Sequence, residues 1–92
     1  MKLSVYSLNK ILFAGQASLL NCKTAMGEIT ILDNHETFIG VLRPGVMKVV
    51  EARPQSNGQP SAEFDGASHF FEVKSGFLEV KQGNEVRCLV SG

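Results

Sequence analysis

The sequence predicts an all-β fold, specifically a two-sheet β-sandwich or flattened barrel of about ten short, mostly antiparallel strands. Apolar and polar residues alternate with a period of two over most of the chain, which is typical of strands with one buried face. Short segments of glycine, asparagine, aspartate and proline separate these runs at close spacing. Helical spacing of apolar residues is hard to find. With 92 residues, the chain is expected to form a single domain over residues 1–92.

Ten segments carry this strand pattern. Residues 16–22 have apolar side chains on both faces, which favours a central strand, whereas residues 28–32 alternate and favour a half-exposed one. The predicted strands are Leu3–Tyr6, Ile11–Gly15, Gln16–Cys22, Glu28–Leu32, Phe38–Leu42, Val46–Val50, Ala62–Phe64, His69–Val73, Phe77–Lys81 and Glu85–Val90.

Two of the connections carry a specific turn prediction. Arg43-Pro44-Gly45 has proline and glycine at the second and third positions of a type II turn, so a strand, a turn and a strand are expected there. The stretch Arg53–Ser61 is polar and contains two prolines, which predicts a mobile hairpin loop with Asn57-Gly58 at its tip.

Composition narrows the classes of partner. Nine basic and nine acidic residues cancel, so the net charge favours neither nucleic acid nor an anionic membrane as a direct partner. The N-terminus does not resemble a signal peptide, and no apolar run approaches the roughly 20 residues that span a bilayer. Two cysteines are too few for a disulfide scaffold. The expectation is a soluble, cytoplasmic, protein-binding domain.

The residue types that carry chemistry are sparse and scattered. Cys22, His35, His69 and Cys88 match no zinc-ligand spacing, and neither cysteine lies on a glycine-rich turn that would lower its pKa. The glycines form no phosphate-binding motif. Glu28, with Asp33 and Glu36 nearby in sequence, is better explained by a solvated edge than by an acid–base pair. We therefore expect no metal, no cofactor and no catalytic residue.

Five short motifs occur in order along nearly the whole chain. They are Phe13-Ala14-Gly15, Gly27-Glu28-Ile29-Thr30-Ile31-Leu32, His35, Leu42-Arg43-Pro44-Gly45 and Ser75-Gly76-Phe77-Leu78-Glu79-Val80. Their order and spacing resemble those of the N-terminal domain of the epsilon subunit of F-type ATP synthases. The sequence departs from the family pattern before the histidine, where Asp33-Asn34 replaces a Pro-Gly pair, and in the length of the 53–61 loop.

The resemblance implies a β-sandwich in the central rotor of the synthase. Such a domain contacts the gamma subunit with one sheet and the ring of c subunits with its lower loops, performs no bond chemistry, and meets the membrane only through the complex, on its cytoplasmic face. Residues matching the c-ring side are Gly27, Glu28 and His35. Residues matching the gamma side are Ser7, Ile39, Gly40, Val41 and Leu42. The family's C-terminal helices, which carry inhibition and ATP binding, have no counterpart in this sequence, so neither activity is expected.

Two other functions remain open from the residues alone. A free-standing sandwich that binds a small ligand or carbohydrate would need a concave aromatic-lined pocket, yet the chain has no tryptophan and one tyrosine, and its six phenylalanines fall mostly at predicted core positions. Phe77 and Leu78 are expected in the core or at its margin. A cysteine–histidine enzyme or zinc protein would need a cysteine within reach of a histidine.

Overall fold

The structure is a computed structural model that describes residues 1–52 and 66–91. These residues form eight strands, which confirms the all-β prediction. In chain order the strands are Lys2–Ser7 (β1), Lys10–Thr24 (β2), Gly27–Leu32 (β3), Phe38–Leu42 (β4), Gly45–Glu51 (β5), Ser68–Val73 (β6), Ser75–Lys81 (β7) and Glu85–Ser91 (β8).

The difference between eight strands and the predicted ten begins with β2. The segments predicted as separate strands before and after Gly15 form one strand of 15 residues. Gly15 does not end the strand because it pairs directly with Leu3, and Gln16 pairs with Lys2, so the ladder to β1 continues through the glycine. The predicted strand Ala62–Phe64 and the predicted 53–61 loop with its Asn57-Gly58 tip lie outside the described residues.

The strands form two layers joined by β2. The first layer, sheet one, has the order β4-β7-β8-β1 and ends on residues 10–16 of β2; the second, sheet two, has the order β6-β5 followed by residues 17–24 of β2 and then β3. A single pair between Thr24 and Leu42 connects β2 back to β4. Only the β1–β8 pairing is parallel among the described strands, so the mostly antiparallel sandwich is confirmed.

The hydrophobic core lies between the layers and follows the alternation of the strands. Sheet one contributes side chains such as Leu3, Val5 and Leu78, and sheet two contributes Leu20 and Ile31, each with no exposed surface. Burying a side chain of this size stabilises the fold by roughly 1.5–3 kcal/mol. Side chains at the intervening positions point outward, so both sheets have an outer face that the core does not use.

The predicted type II turn at Arg43-Pro44-Gly45 is not formed. A type II turn needs a positive φ at its third residue, and Gly45 is not among the described residues with positive φ. Strands β4 and β5 do not pair with each other, because the chain passes here from sheet one to sheet two. A Cβ at Gly45 would lie 2.6 Å from Cδ of Lys23, a contact that this exposed and flexible side chain can relieve by moving.

Candidate protein-interaction surfaces

The outer face of sheet one carries a row of apolar side chains that crosses all five of its strands. We call it the apolar row, and strand register aligns its members in the order Val41, Phe77, Leu89, Tyr6 and Ile11. Val41 is 51% exposed, Phe77 58%, Leu89 53% and Ile11 63%. Contiguous exposed apolar surface of this kind marks an interaction site more often than scattered apolar residues do.

A second, mixed row runs beside the apolar row on the same face. Ile39 pairs with Glu79, and Glu79 pairs with Arg87, so a carboxylate and a guanidinium lie next to each other between Ile39 and Ser4. The two rows border a groove of about 250 Å³. The groove is lined by Ile39, Phe77, Leu78, Glu79, Arg87 and Leu89. The face is therefore apolar on one side and carries opposite charges on the other.

The residues predicted to meet a gamma subunit divide between this face and the core. Ile39 is 74% exposed and Val41 belongs to the apolar row, so both present their side chains outward. Leu42 is buried at 2% exposure, and Gly40 is half-buried, where an added Cβ would lie 3.1 Å from the Phe38 ring. Ser7 ends β1, and its hydroxyl donates to the Lys10 carbonyl at 3.4 Å. A contact on this face can reach Ile39 and Val41 directly but Leu42 only indirectly.

The residues predicted to meet a c ring lie at opposite ends of β3. Gly27 and Glu28 begin the strand, next to the β2–β3 turn, and both are exposed. His35 follows the other end of the strand. The four residue-to-residue steps from Glu28 to Leu32 alone span about 13 Å at the usual rise per residue. Glu28 and His35 are therefore not brought together into one small site.

The turn that precedes His35 contains a residue in the left-handed conformation. Asn34 has a φ of 60°, a conformation that asparagine tolerates better than most residues. Its backbone N–H donates to Oδ1 of Asn84 at 2.7 Å, and the Asp33 carboxylate contacts the amino group of Met1. The His35 ring lies 5.5 Å from the Phe38 ring. These contacts hold His35 at an exposed corner of the domain.

The two cysteines lie in the core and are poorly suited to chemistry. Burial raises the pKa of Cys22 from 9.0 to about 11, and it raises the pKa of Cys88 further, with a smaller contribution from the nearby Cys22. A thiol with a raised pKa stays protonated at neutral pH and is a weak nucleophile. In residues 1–52 and 66–91, no group of three or more histidine, cysteine, aspartate and glutamate side chains is placed to hold a metal ion.

His69 packs against aromatic rings and a carboxylate, where β5 ends and β6 begins. Its Nε2 lies 2.7 Å from the Glu51 carboxylate, and its ring stacks on Phe71 and tilts against Phe13. Neither cysteine is among these contacts. The arrangement joins the ends of the two strands and places the imidazole against core residues.

A groove of about 540 Å³ lies between β4 and β7. It is lined by Thr37, Phe38, Ile39, Glu79, Val80, Lys81 and Gln82. Sugar-binding sites stack the ligand on aromatic rings, whereas Phe38 is the aromatic residue here and it is already packed against the core. The groove is thus poorly equipped for a carbohydrate.

Comparison with known proteins assigns the fold to a family. The family model described as "ATP synthase, Delta/Epsilon chain, beta-sandwich domain" matches residues 1–92. The chain belongs to this family. Similar proteins include ATP synthase epsilon chains of Bordetella petrii, 31% identical over 90% of this chain, and of Clostridium novyi, 39% identical over 86%. The resemblance found in the motifs is therefore confirmed.

The family's relatives are longer than this chain. It covers 50% of the Bordetella petrii protein and 51% of the Clostridium novyi protein. Among solved structures, a chain of the Tetrahymena thermophila mitochondrial ATP synthase central stalk and c ring has a TM-score of 0.72 at 21% identity, with 100% of this chain and 63% of that one aligned. A chain of the Euglena gracilis enzyme has a TM-score of 0.74 at 17% identity, covering 98% and 49%. At these identities the structures support the shared fold.

Sequence reasoning missed most of the apolar row of this epsilon-family domain. Phe77 was expected in the core or at its margin, but Leu78 is the core residue and Phe77 points outward. Leu89 and Ile11 were not singled out. Phe77 and Leu78 are both apolar, so alternation does not decide which of the two faces inward. The strand register, which aligns Phe77 with the exposed Val41 and Leu89, does decide it. Regarding membranes, the described residues include no helix with the length and apolar character needed to cross one.

Proposed function

We propose that this chain is a non-catalytic central-stalk component of an F-type ATP synthase, linking the gamma subunit to the c ring. In that role it helps couple proton or sodium transport to ATP synthesis. The observation that carries the proposal is the apolar row, an extended outer sheet face in a domain of the delta/epsilon family. The long epsilon chains and the central-stalk neighbours support the same assignment.

The gamma subunit is the proposed partner of the outer face of sheet one. Ile39 and Val41 would contact it directly, together with Phe77, Leu89 and Ile11. A few buried side chains near the centre of an interface, often aromatic, contribute most of the binding free energy, and a polar rim surrounds them. Gly40 and Leu42 would contribute indirectly, by setting the position of β4. Ser7 would lie at the margin of the interface, where β1 ends.

The c ring is the proposed partner of the end of the sandwich that carries Gly27 and Glu28. Glu28 is exposed and free to contact polar loops of the ring. His35 lies at the other end of β3, so a contact that includes both residues would have to extend along the whole strand. Gly27 and Glu28 are therefore the residues that we propose to contact the c ring. A role for His35 in that contact stays a prediction.

The chain itself would carry no catalytic activity and would be held at the cytoplasmic face of the membrane through the complex. Inhibition of ATP hydrolysis and ATP binding belong to the family's C-terminal helices and are not assigned here. The chain spans about half the length of its epsilon relatives, so activities of the whole proteins are not transferred.

Binding to the gamma subunit of the same synthase tests this proposal. The chain and gamma should elute together as a 1:1 complex in size-exclusion chromatography, and addition of the purified c ring should bring all three components into one peak. Absence of binding to either partner under conditions where the chain is folded would rule out the central-stalk role.

A further inference from the structure

Two neighbouring strands of sheet one, β7 and β8, carry matching side chains on the outer face. Three cross-strand pairs lie there, one apolar and two of opposite charge. They are Phe77 with Leu89, Glu79 with Arg87, and Lys81 with Glu85. The residues between them, such as Leu78 and Cys88, are buried in the core, so all six side chains point outward.

The charged members of these pairs keep the capacity to bind a further group. Arg87 has 51% of its side chain exposed, and Glu85 has 31%. Nη2 of Arg87 lies 3.9 Å from a carboxylate oxygen of Glu85, which is the only ion pair that the four charged side chains form within residues 1–52 and 66–91. A guanidinium has five N–H donors and a carboxylate accepts several hydrogen bonds, so most of this capacity remains open on the outer face.

Two copies of this face match each other about a two-fold axis that is parallel to the strands and runs between β7 and β8. Such an axis places each residue of β7 opposite its own cross-strand partner in the β8 strand of the second copy. Phe77 then meets Leu89 of the second copy, Glu79 meets Arg87, and the other charged pair is matched in the same way. Each contact occurs twice. An isologous two-fold interface requires this kind of self-complementarity.

The strands on either side of β7 and β8 extend the match. Strands β4 and β1 lie at equal distances from the axis, so Val41 is set against Tyr6 of the second copy. Ile39 is set against Ser4 by the same register. Ile11, on the fifth strand, has no strand opposite it. Stacked sheets cross at about 30°, so the pairs nearest the axis stay opposed best.

The size of the face determines how strongly two copies can associate. The four matched strands cover roughly 19 Å by 20 Å, or about 400 Å² in projection, at the usual strand spacing and rise per residue. A stable protein complex buries about 800 Å² of surface on each partner. The matched face therefore suits a weak and reversible dimer, which a partner with a larger contact can displace.

We propose that two copies of this chain associate weakly through the outer face of sheet one, about the two-fold axis between β7 and β8. The same face is assigned above to gamma, so the two contacts exclude each other and gamma dissociates the dimer. This second part rests on the proposed function. The dimer covers the apolar row in chains that have not joined a synthase, where exposed apolar surface would otherwise promote aggregation.

Sedimentation equilibrium of the chain, from micromolar to millimolar concentration, tests the dimer. The average mass of the wild type should rise with concentration from that of one chain toward that of two. Glu79→Arg and Arg87→Glu each place like charges opposite each other in both copies of this contact. Either variant alone should self-associate roughly tenfold or more weakly than the wild type.

An equimolar mixture of these two variants provides the specific test of the axis. In the mixed dimer both contacts again join a cation to a carboxylate, so the mixture should associate within about threefold of the wild type. Mixing does not repair the cross-strand pair within either chain, so recovery cannot come from better folding. Glu72→Arg makes the same change of charge on the exposed face of sheet two. This control should associate like the wild type.

The results that would overturn the inference differ from those that would end the central-stalk proposal. A wild type that binds gamma but stays monomeric at millimolar concentration would overturn the inference alone. Dimerisation that both single variants retain, or that their mixture fails to restore, would also overturn it, by showing that the copies pair in another way. A dimer that binds gamma without dissociating would contradict the shared face. A chain that dimerises but does not bind gamma would end the central-stalk proposal and leave the dimer standing.

Discussion

The two outer faces of the sandwich each expose a phenylalanine, but the surroundings differ. On sheet one, Phe77 is 58% exposed within a continuous apolar row. On sheet two, Phe70 is 64% exposed, but its cross-strand neighbour is Lys48, whose Nζ lies 5.9 Å from the ring centroid. Exposure of a single aromatic side chain therefore does not identify an interface; continuity across strands does.

The row across sheet two becomes polar where the row across sheet one stays apolar. Beyond Lys48 it continues through Asn21, whose amide donates to the Thr30 hydroxyl at 3.0 Å. Nearby Val46 is exposed, but its partner in β6 is Glu72. A cation over an aromatic ring and a hydrogen-bonded amide are satisfied without a partner protein. Sheet one leaves its apolar side chains without such cover in the described chain.

The largest expected effect separates the two faces of β7. Leu78→Ala should lower the free energy of unfolding by roughly 2–5 kcal/mol, because it leaves a cavity in the core. Phe77→Ala, one residue away, should cost less than about 1 kcal/mol, because its side chain is mostly solvated. Urea denaturation followed by circular dichroism compares them. Similar losses for both variants would mean that Phe77 is a structural residue and the apolar row is not a free surface.

A smaller effect concerns the core between the two sheets. The free energy of unfolding should depend on pH through the buried thiol of Cys22. The folded pKa of Cys22 is raised from 9.0 to about 11. The thiol of the unfolded chain therefore loses its proton first as pH rises. The contribution of the protonated thiol to the free energy of unfolding is complete below pH 9 and is lost between pH 9 and 11. At pH 10 the wild type should be about 1 kcal/mol less stable than at pH 8, relative to Cys22→Val. Identical pH profiles for the two proteins would show that Cys22 is accessible to solvent.

The smallest effect concerns the sheet-two face. Lys48→Ala removes the cation from the Phe70 ring and should lower the free energy of unfolding by about 0.5 kcal/mol, with no change in gamma binding. Lys48→Arg, which keeps a cation there, serves as the control and should be close to the wild type in both measurements. A loss of gamma affinity in Lys48→Ala would place the partner on sheet two and reverse the comparison.

Most of the fold could be predicted from the alternation of residues, because period two is a local property. Strands such as β1, β4 and β8 agree with their predicted segments to within one or two residues. The continuity of β2 through Gly15 could not be predicted, since it depends on pairing with β1 rather than on the glycine. The Pro44-Gly45 pair likewise has turn composition, but it lies where the chain crosses from sheet one to sheet two, so β4 and β5 do not form a hairpin.

The interaction surfaces were harder to predict from the sequence, because they depend on which residues strand pairing places side by side. Ile39 and Val41 were found through the family motif, whereas Phe77, Leu89 and Ile11 join them only through the register of four strand pairs.

Binding of two matched aspartate variants to the gamma subunit tests the central claim most directly. Isothermal titration calorimetry should show affinity reduced roughly 100-fold or more for Phe77→Asp, the size expected for a residue at the centre of an interface. Phe70→Asp, with the same change on the other sheet, should bind within about threefold of the wild type, as expected of a residue outside the interface. Equal affinities, or a larger loss for Phe70→Asp, would contradict the assignment of sheet one as the face that meets gamma.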